Sequence, residues 1–349
     1  MTWTPDGAFL SMALEQAPNA EKDTNKISTN VFYLPARQFD DVDGWAPLDE
    51  QDALKATLAL APHLGTGTYA PKPKMSKLWP RPSHMGLLLA AQCGTIVTTV
   101  GDGIITDPDA QAVPVGAYKH VISFKALDPP QTVQWVAGTA DGQYRKGTGM
   151  GFDKLAFAVD SGAWGVEADM TGLYLTDEAN PTVSPTYDLV EPFRTGDMTL
   201  TWLNGSAYTR EFTFEISNTL EALYQLGVQS YWPSLLQYTD DINGRPHVMG
   251  TIKKRVLNAT DLAAMYAGTQ FDVKIKLGHR QAIGATAYHH GVWLDVPGCQ
   301  YVGAARDPIE NKRRREGTFT WEARATGGSS VLATVTVVND TAAYATYPG

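Results

Sequence analysis

From Leu155 to Gly172 the chain alternates about a glycine turn. Leu155, Phe157 and Val159 fall on one face and Ala156 and Ala158 on the other. Ser161-Gly162 supplies the turn, and Trp164, Val166, Ala168 and Met170 then alternate with Gly165, Glu167, Asp169 and Thr171. Period two about a small turn predicts a β-hairpin. The same pattern predicts strands in STNVFYLP (28–35), TIVTTV (95–100), HVISFKAL (120–127), QTVQWVAG (131–138), VMGTIKKRV (248–256), FDVKIKL (271–277), VWLDVPGCQYVG (292–303), GTFTWEARATG (317–327) and VLATVTVVND (331–340). In MTLTWLNGSAYTREFTFEIS (198–217), the Asn204-Gly205 pair predicts a second tight hairpin. Val331–Val338 is a long β-branched run that needs pairing on both edges, because an open edge of this kind aggregates.

Two short helices interrupt the strands. Ser83 is placed to cap HMGLLLAAQCG, which stops at Gly94, and Asn258 or Thr260 is placed to cap DLAAMYAG, which stops at Gly268. The prolines at 62, 71, 73, 80 and 82 predict a surface loop over about 61–82, since proline cannot donate to a sheet ladder. A loop rich in Tyr, Trp and Asp is predicted at 218–246, long enough to be functional or interface-forming.

The two halves echo each other. Each has a strand, a capped helix ending in Gly-Thr (Gly94-Thr95, Gly268-Thr269), and several strands closing on Glu-Ala-x-x-Thr-Gly (167–172, 322–327). This reads as one β unit written twice. It gives an N-terminal arm over 1–28, a first β domain over 29–180, a linker over about 181–192, and a second β domain over 193–349.

Composition adds limits. The 349 residues include 32 glycines and 21 prolines, which favour turns and hence β structure. A formal charge of −9 argues against sequence-independent nucleic-acid binding, which needs Lys and Arg to displace counterions. It leaves room for a protein that DNA slides past. Cys93 and Cys299 carry no motif, so a reducing compartment is expected. No signal peptide or membrane-length apolar run is visible, which predicts a soluble protein.

Candidate chemistry is sparse. The acidic stretch Asp40, Asp41, Asp43, Asp49 and Glu50 around Trp45 lacks the alternating carboxylates and central Gly of a calcium loop, and reads as a solvated loop. His289 and His290, adjacent on a strand, point to opposite faces and make no zinc site. Gly147-x-Gly149-x-Gly151 has no following helix, so it reads as a turn or bulge, not a phosphate loop. Glu167 and Asp169 share a face and could mimic a glycosidase pair, but Arg324 replaces the second acid in the echo, which favours a sheet-surface role. No catalytic residue, cofactor or metal is predicted. The basic run Lys312, Arg313, Arg314 and Arg315, flanked by Glu310 and Glu316, is a candidate subunit-contact loop.

The order of these elements resembles that of the major tail tube proteins of long-tailed, siphovirus-type bacteriophages in a longer form. The likeness rests on MGLLLAAQCG after a strand, the 155–172 hairpin, VMGTIKKRVLNATDLAAMYAGTQFDVKIKL, VWLDVPGCQYVG and a closing strand reaching Asn339, across about 50–340. The resemblance implies a mainly β fold: an antiparallel, barrel-forming sandwich with short flanking helices, here duplicated in tandem. It implies rings closed by sheet augmentation, stacked into a hollow tube through which DNA leaves the capsid, and a doubled chain that closes as a trimer with pseudo-sixfold symmetry. It implies a virion protein assembled in the host cytoplasm, not an enzyme. Its partners would be itself, the tape-measure, tail terminator and tail-tip proteins, and genomic DNA passing without specific binding, with no membrane. Glu167 and Asp169 become candidate lumen-facing acids. A β-sandwich enzyme and a carbohydrate-binding module, the latter using YWPSLLQY (231–238), are the rival readings.

Overall fold

A computed structural model describes residues 9–16, 30–40, 45–49, 64–69, 71–125, 131–138, 143–160, 163–177, 188–201, 209–218, 220–223, 235–238, 247–254, 259–306, 317–324 and 331–345. Its strands are β1 (Phe9–Leu14), β2 (Phe32–Tyr33), β3 (Ala36–Asp40), β4 (Trp45–Asp49), β5 (Leu64–Tyr69), β6 (Lys74–Leu78), β7 (Gly94–Val100), β8 (Tyr118–Lys125), β9 (Val133–Gly138), β10 (Tyr144–Asp160) and β11 (Ala163–Thr171). They continue with β12 (Tyr174–Asp177), β13 (Met198–Thr201), β14 (Thr209–Ser217), β15 (Leu220–Leu223), β16 (Leu235–Tyr238), β17 (His247–Lys254), β18 (Phe271–Ala282), β19 (His289–Arg306), β20 (Gly317–Ala323) and β21 (Val331–Asn339). The helices are α1 (Pro82–Cys93) and α2 (Ala259–Ala267). The fold is mainly β, as the alternation predicts.

The registered ladders, all antiparallel, make one long sheet in the order β3-β6-β11-β10-β14-β17-β20-β19. Two cover sheets pack over it: β2-β1-β9-β10-β12 and β13-β18-β19-β21-β8-β7. β10 and β19 belong to both layers. β10 leaves its ladder with β9 through a register shift between Gly147 and Met150, so the predicted glycine run is a bulge within a strand. Gly147 lies where a Cβ would stand 2.4 Å from the Trp135 indole, and Gly149 has φ +66°, so side chains are excluded from this crossing. β19 makes its passage at Pro297-Gly298, with Gly298 at φ +64°.

The succession of ladders occurs twice. In the first half β9 and β12 flank the N-terminal part of β10, β11 pairs its C-terminal part, β6 pairs β11, β3 pairs β6, and β1 pairs β9. In the second, β18 and β21 flank the N-terminal part of β19, β20 pairs its C-terminal part, β17 pairs β20, β14 pairs β17, and β13 pairs β18. A hairpin, β4–β5 or β15–β16, interrupts each half at the same place, and each helix follows β6 or β17. The β7–β8 hairpin has no counterpart. The halves are joined by β10–β14 and β8–β21 ladders.

Several expectations change. Residues 9–14, inside the expected 1–28 arm, form the buried strand β1 paired with β9. The proline-rich loop contains β5 and β6, and β6 is internal to the long sheet. Proline lacks only the donor: the carbonyls of Pro71 and Pro73 accept from Gly172 (2.9 Å) and Met170 (3.0 Å). The acidic loop contains β4 and the end of β3, and the long loop contains β15 and β16. β13 and β14 do not pair with each other among the described residues: one joins a cover sheet and the other the long sheet, and the Asn204-Gly205 turn lies outside the described residues. Ser83 does not cap α1. Pro82 opens the helix, a position where its missing N–H costs nothing, and the Ser83 hydroxyl donates to Asp188 (2.5 Å). Gly268 ends α2 at φ +61° with the Gly268 and Thr269 amides bonded back to Met265 and Ala264, as predicted for a glycine stop.

The core is continuous. α1 is apolar all round and buried, with Leu87, Leu88 and Ala91 fully covered. Met85 and Leu89 of α1 line one apolar pocket together with Phe157, Trp164 and Phe214 of the long sheet and Ile275, Leu277, Val292, Leu294 and Val335 of a cover sheet. β21 has both edges filled, by β19 and β8, within the chain itself.

Candidate functional site

The long sheet has one buried and one open face, and alternation decides which side chain goes where. Leu155, Phe157, Trp164, Val166, Phe212, Phe214, Ile216, Val248, Ile252, Phe319 and Trp321 point into the core. The intervening residues make the open face: Lys74 and Ser76 on β6, Glu167 and Asp169 on β11, Lys154, Ala156 and Ala158 on β10, Glu211, Thr213 and Glu215 on β14, Thr251 and Lys253 on β17, and Thr318, Thr320 and Glu322 on β20.

Charges on this face are paired across strands. Lys154 meets Glu215 at 2.8 Å, Lys74 meets Asp169 at 3.4 Å, Lys253 meets Glu211 at 3.6 Å, and Arg324 meets Glu322 at 3.0 Å. The Thr213 and Thr251 hydroxyls lie 2.7 Å apart. Glu167 and Asp169 therefore stand where alternation puts them, side by side on one strand and one face. Asp169 is tied to Lys74, whereas Glu167 has no ion-pair partner among the described residues. The face is a mosaic of hydroxyls, small side chains and matched charges, without a cationic track. Lys312, Arg313, Arg314 and Arg315 lie outside the described residues.

The two ends of the long sheet are open among the described residues. β3 pairs β6 on one side only, and residues 302–306 of β19 pair β20 on one side only. Val302 there is 47% exposed. Inside the chain, the corresponding edges of the two halves, β10 and β14, are zipped together over Lys154–Val159 and Phe212–Ser217.

Two acids, the half-buried Asp153 and the buried Glu15, brace the layer crossing, and sequence reasoning missed them. Asp153 sits at the register shift between Phe152 and Lys154. Its carboxylate accepts from the Thr171 hydroxyl (2.5 Å) and the Leu220 amide (3.1 Å), and its carbonyl accepts from the Asn218 amide (2.6 Å). Burial pushes its pKa up to about 6 against the pull of those donors. Glu15, also raised by burial, accepts from the Gly149 amide at 3.0 Å. The lone acid in MGFDKLAF was the visible signal for Asp153.

No metal-ligating group of three or more His, Cys, Asp or Glu occurs among the described residues. His289 is exposed and His290 buried, as their adjacency on a strand requires. A polar hollow of about 450 Å³ between the 101–117 loop and β18–β19 includes Asp107, Lys276, Tyr288 and Trp293. Asp107 is fully engaged there by the amides of Asp109 and Gln111 (both 2.9 Å) and by the Tyr288 hydroxyl, so it locks the loop. Cys299 is buried and its thiol is pushed up to about 12, which suits packing and not nucleophilic work.

The family model described as phage tail tube protein matches residues 80–344, three quarters of the chain. No curated protein matches it.

Proposed function

Because this chain belongs to the phage tail tube protein family, we propose that it is a structural subunit of a siphovirus-type tail, self-assembling into stacked rings whose bore conducts DNA into the host. The observation that carries this reading is the pair of open ends on the long sheet. The C-terminal part of β19 at one end and β3 at the other correspond, through the recurring ladders, to β10 and β14, which pair within the chain. A second copy that repeats this junction adds its β3 to β19 and extends the sheet. Heterologous contacts of this kind close into rings when the rotation allows, and closure removes both edges.

The recurrence of the ladders supports a tandem of two tube-fold units per chain, so three chains make a ring with pseudo-sixfold symmetry. The open face becomes the lumen wall, with Glu167 and Asp169 on it. Paired charges and hydroxyls give passing phosphates no run of cations to bind, so DNA transits without specific contacts. Tape-measure, terminator and tail-tip proteins are the expected partners, and assembly occurs in the host cytoplasm.

Negative-stain microscopy of the purified chain at rising concentration, with mass photometry beside it, tests the proposal. Rings or tubes with a central hole and three chains per ring are expected. Rings of six chains would overturn the tandem reading. A chain that stays monomeric even when mixed with purified tail tips would overturn the tube reading.

A further inference from the structure

α1 and α2 occupy corresponding places, each between the strand that precedes it and the core of its own half, yet they are covered very differently. α1 is sandwiched: β7 and β8 of its own half pack on it, and β19 and β21 of the other half complete the cover, with Met85 and Leu89 lining an apolar pocket shared with Val292, Leu294 and Val335. α2 rests on β19, and of its residues whose burial is described, 263–267, Ala264 is buried, Met265 partly so, and Ala263, Tyr266 and Ala267 are exposed, Tyr266 at 75%. Its sequence, ATDLAAMYA, is apolar over nearly its whole second half. A helix apolar on all sides belongs in an interior, and this one has no cover among the described residues.

The recurring ladders say what the missing cover is. The relation that carries the first half onto the second carries α1 onto α2, and carries the β18–β19–β21 cover onto β9–β10–β12 of a following first half. That following half belongs to the next copy of the chain. We propose that the exposed face of α2, centred on Tyr266, docks under the β10–β12 edge of a neighbouring copy, as α1 docks under β19–β21 within the chain. The inner face of the cover strand carries Leu175 and, at its end, the exposed Asp177 paired with Arg145 at 3.3 Å, and the strand's outer edge has no ladder among the described residues. The two helices thus report two versions of one interface, one inside the chain and one between chains. This rests on the ring reading above and deepens it by naming a second contact away from the β3–β19 ladder.

Tyr266→Arg is the test. The side chain is outside the core, so the purified variant keeps its far-UV circular dichroism and thermal midpoint. At the concentration where half of the natural chain is in rings, the variant's ring population falls about tenfold, as for loss of an aromatic anchor at an interface centre. In assembled material, Tyr266→Cys combined with Asp177→Cys gives inter-chain adducts with a short bismaleimide, whereas neither single variant does. If the natural chain forms rings, Tyr266→Arg assembles equally well and the double variant gives no adduct, the helix contact is refuted and the ring reading stands. If the natural chain forms no rings on tail tips, the ring reading itself fails.

Discussion

Asp153 offers the sharpest test of how the two layers are held together. Its carboxyl is buried at the point where β10 passes from one ladder to the next, and burial raises it from 3.8 to about 6. The acid is therefore easier to protonate in the folded chain than in the unfolded one. Stability from this group is fully present below pH 3.8 and declines as pH rises through about 6, after which it levels. Each pH unit between the two values is worth about 1.4 kcal/mol, so the ionised group costs the fold roughly 3 kcal/mol at pH 8. Asp153→Asn keeps the contacts: the amide oxygen can accept from the Leu220 N–H and the amide nitrogen can donate to the Thr171 hydroxyl. Urea unfolding of the unassembled chain and the variant, at steps from pH 4 to 8, measures the difference. The expected result is near-equality at pH 4 and a variant more stable by about 2–3 kcal/mol at pH 8. Taking the difference removes groups common to both chains, notably His84, His120 and His290, which burial shifts the other way. Parallel curves, or a variant less stable at pH 8, would refute the claim that desolvation governs this site.

His120, held at about 4 by burial between Thr98, Asn339 and Thr341, is neutral in the fold. Its contribution is present above pH 6.5 and is lost as pH falls toward 4, so His120→Asn should flatten the acid limb of the unfolding curve by up to about 3 kcal/mol; an unchanged limb would count against it. Gly250→Ala should destabilise by about 2–3 kcal/mol, because a Cβ would lie 2.3 Å from the Thr213 carbonyl and 2.5 Å from the Trp321 ring, neither free to retreat; equal urea midpoints would show that the sheet yields. Gly86→Ala would put a Cβ 2.0 Å from the Tyr344 ring, so limited proteolysis should release the C-terminal segment from α1 in the variant and not in the natural chain. Glu167→Gln with Asp169→Asn should leave stability within about 0.5 kcal/mol, since the Lys74–Asp169 pair is exposed. It should slow DNA ejection by reconstituted virions, and unaltered kinetics would remove these acids from the wall.

The sequence by itself determined the strands and the faces of the long sheet. Alternation over β10, β11, β18, β20 and β21 is enforced by burial on one side only, and a one-residue slip would turn every core side chain out. The echo of Glu167-Ala168 in Glu322-Ala323 is legible for the same reason, each pair standing on a strand that ladders with the strand before it, β11 with β10 and β20 with β19. What the sequence did not determine was which strand pairs with which. β13 and β14 are neighbours in sequence, yet they part company to different layers, because each gains a long-range partner in β18 or β17. Prolines flanking β6 read as a loop because only their missing donors are visible in sequence, while their carbonyls serve the ladder. The exposed Tyr266, the half-buried Asp153 and the open ends at β3 and β19 belong to no local pattern. Each exists because residues far apart in the chain meet, or because no neighbour stands beside them among the described residues; local periodicity records neither. Tertiary structure alone decided these, and they are where the proposed assembly is made.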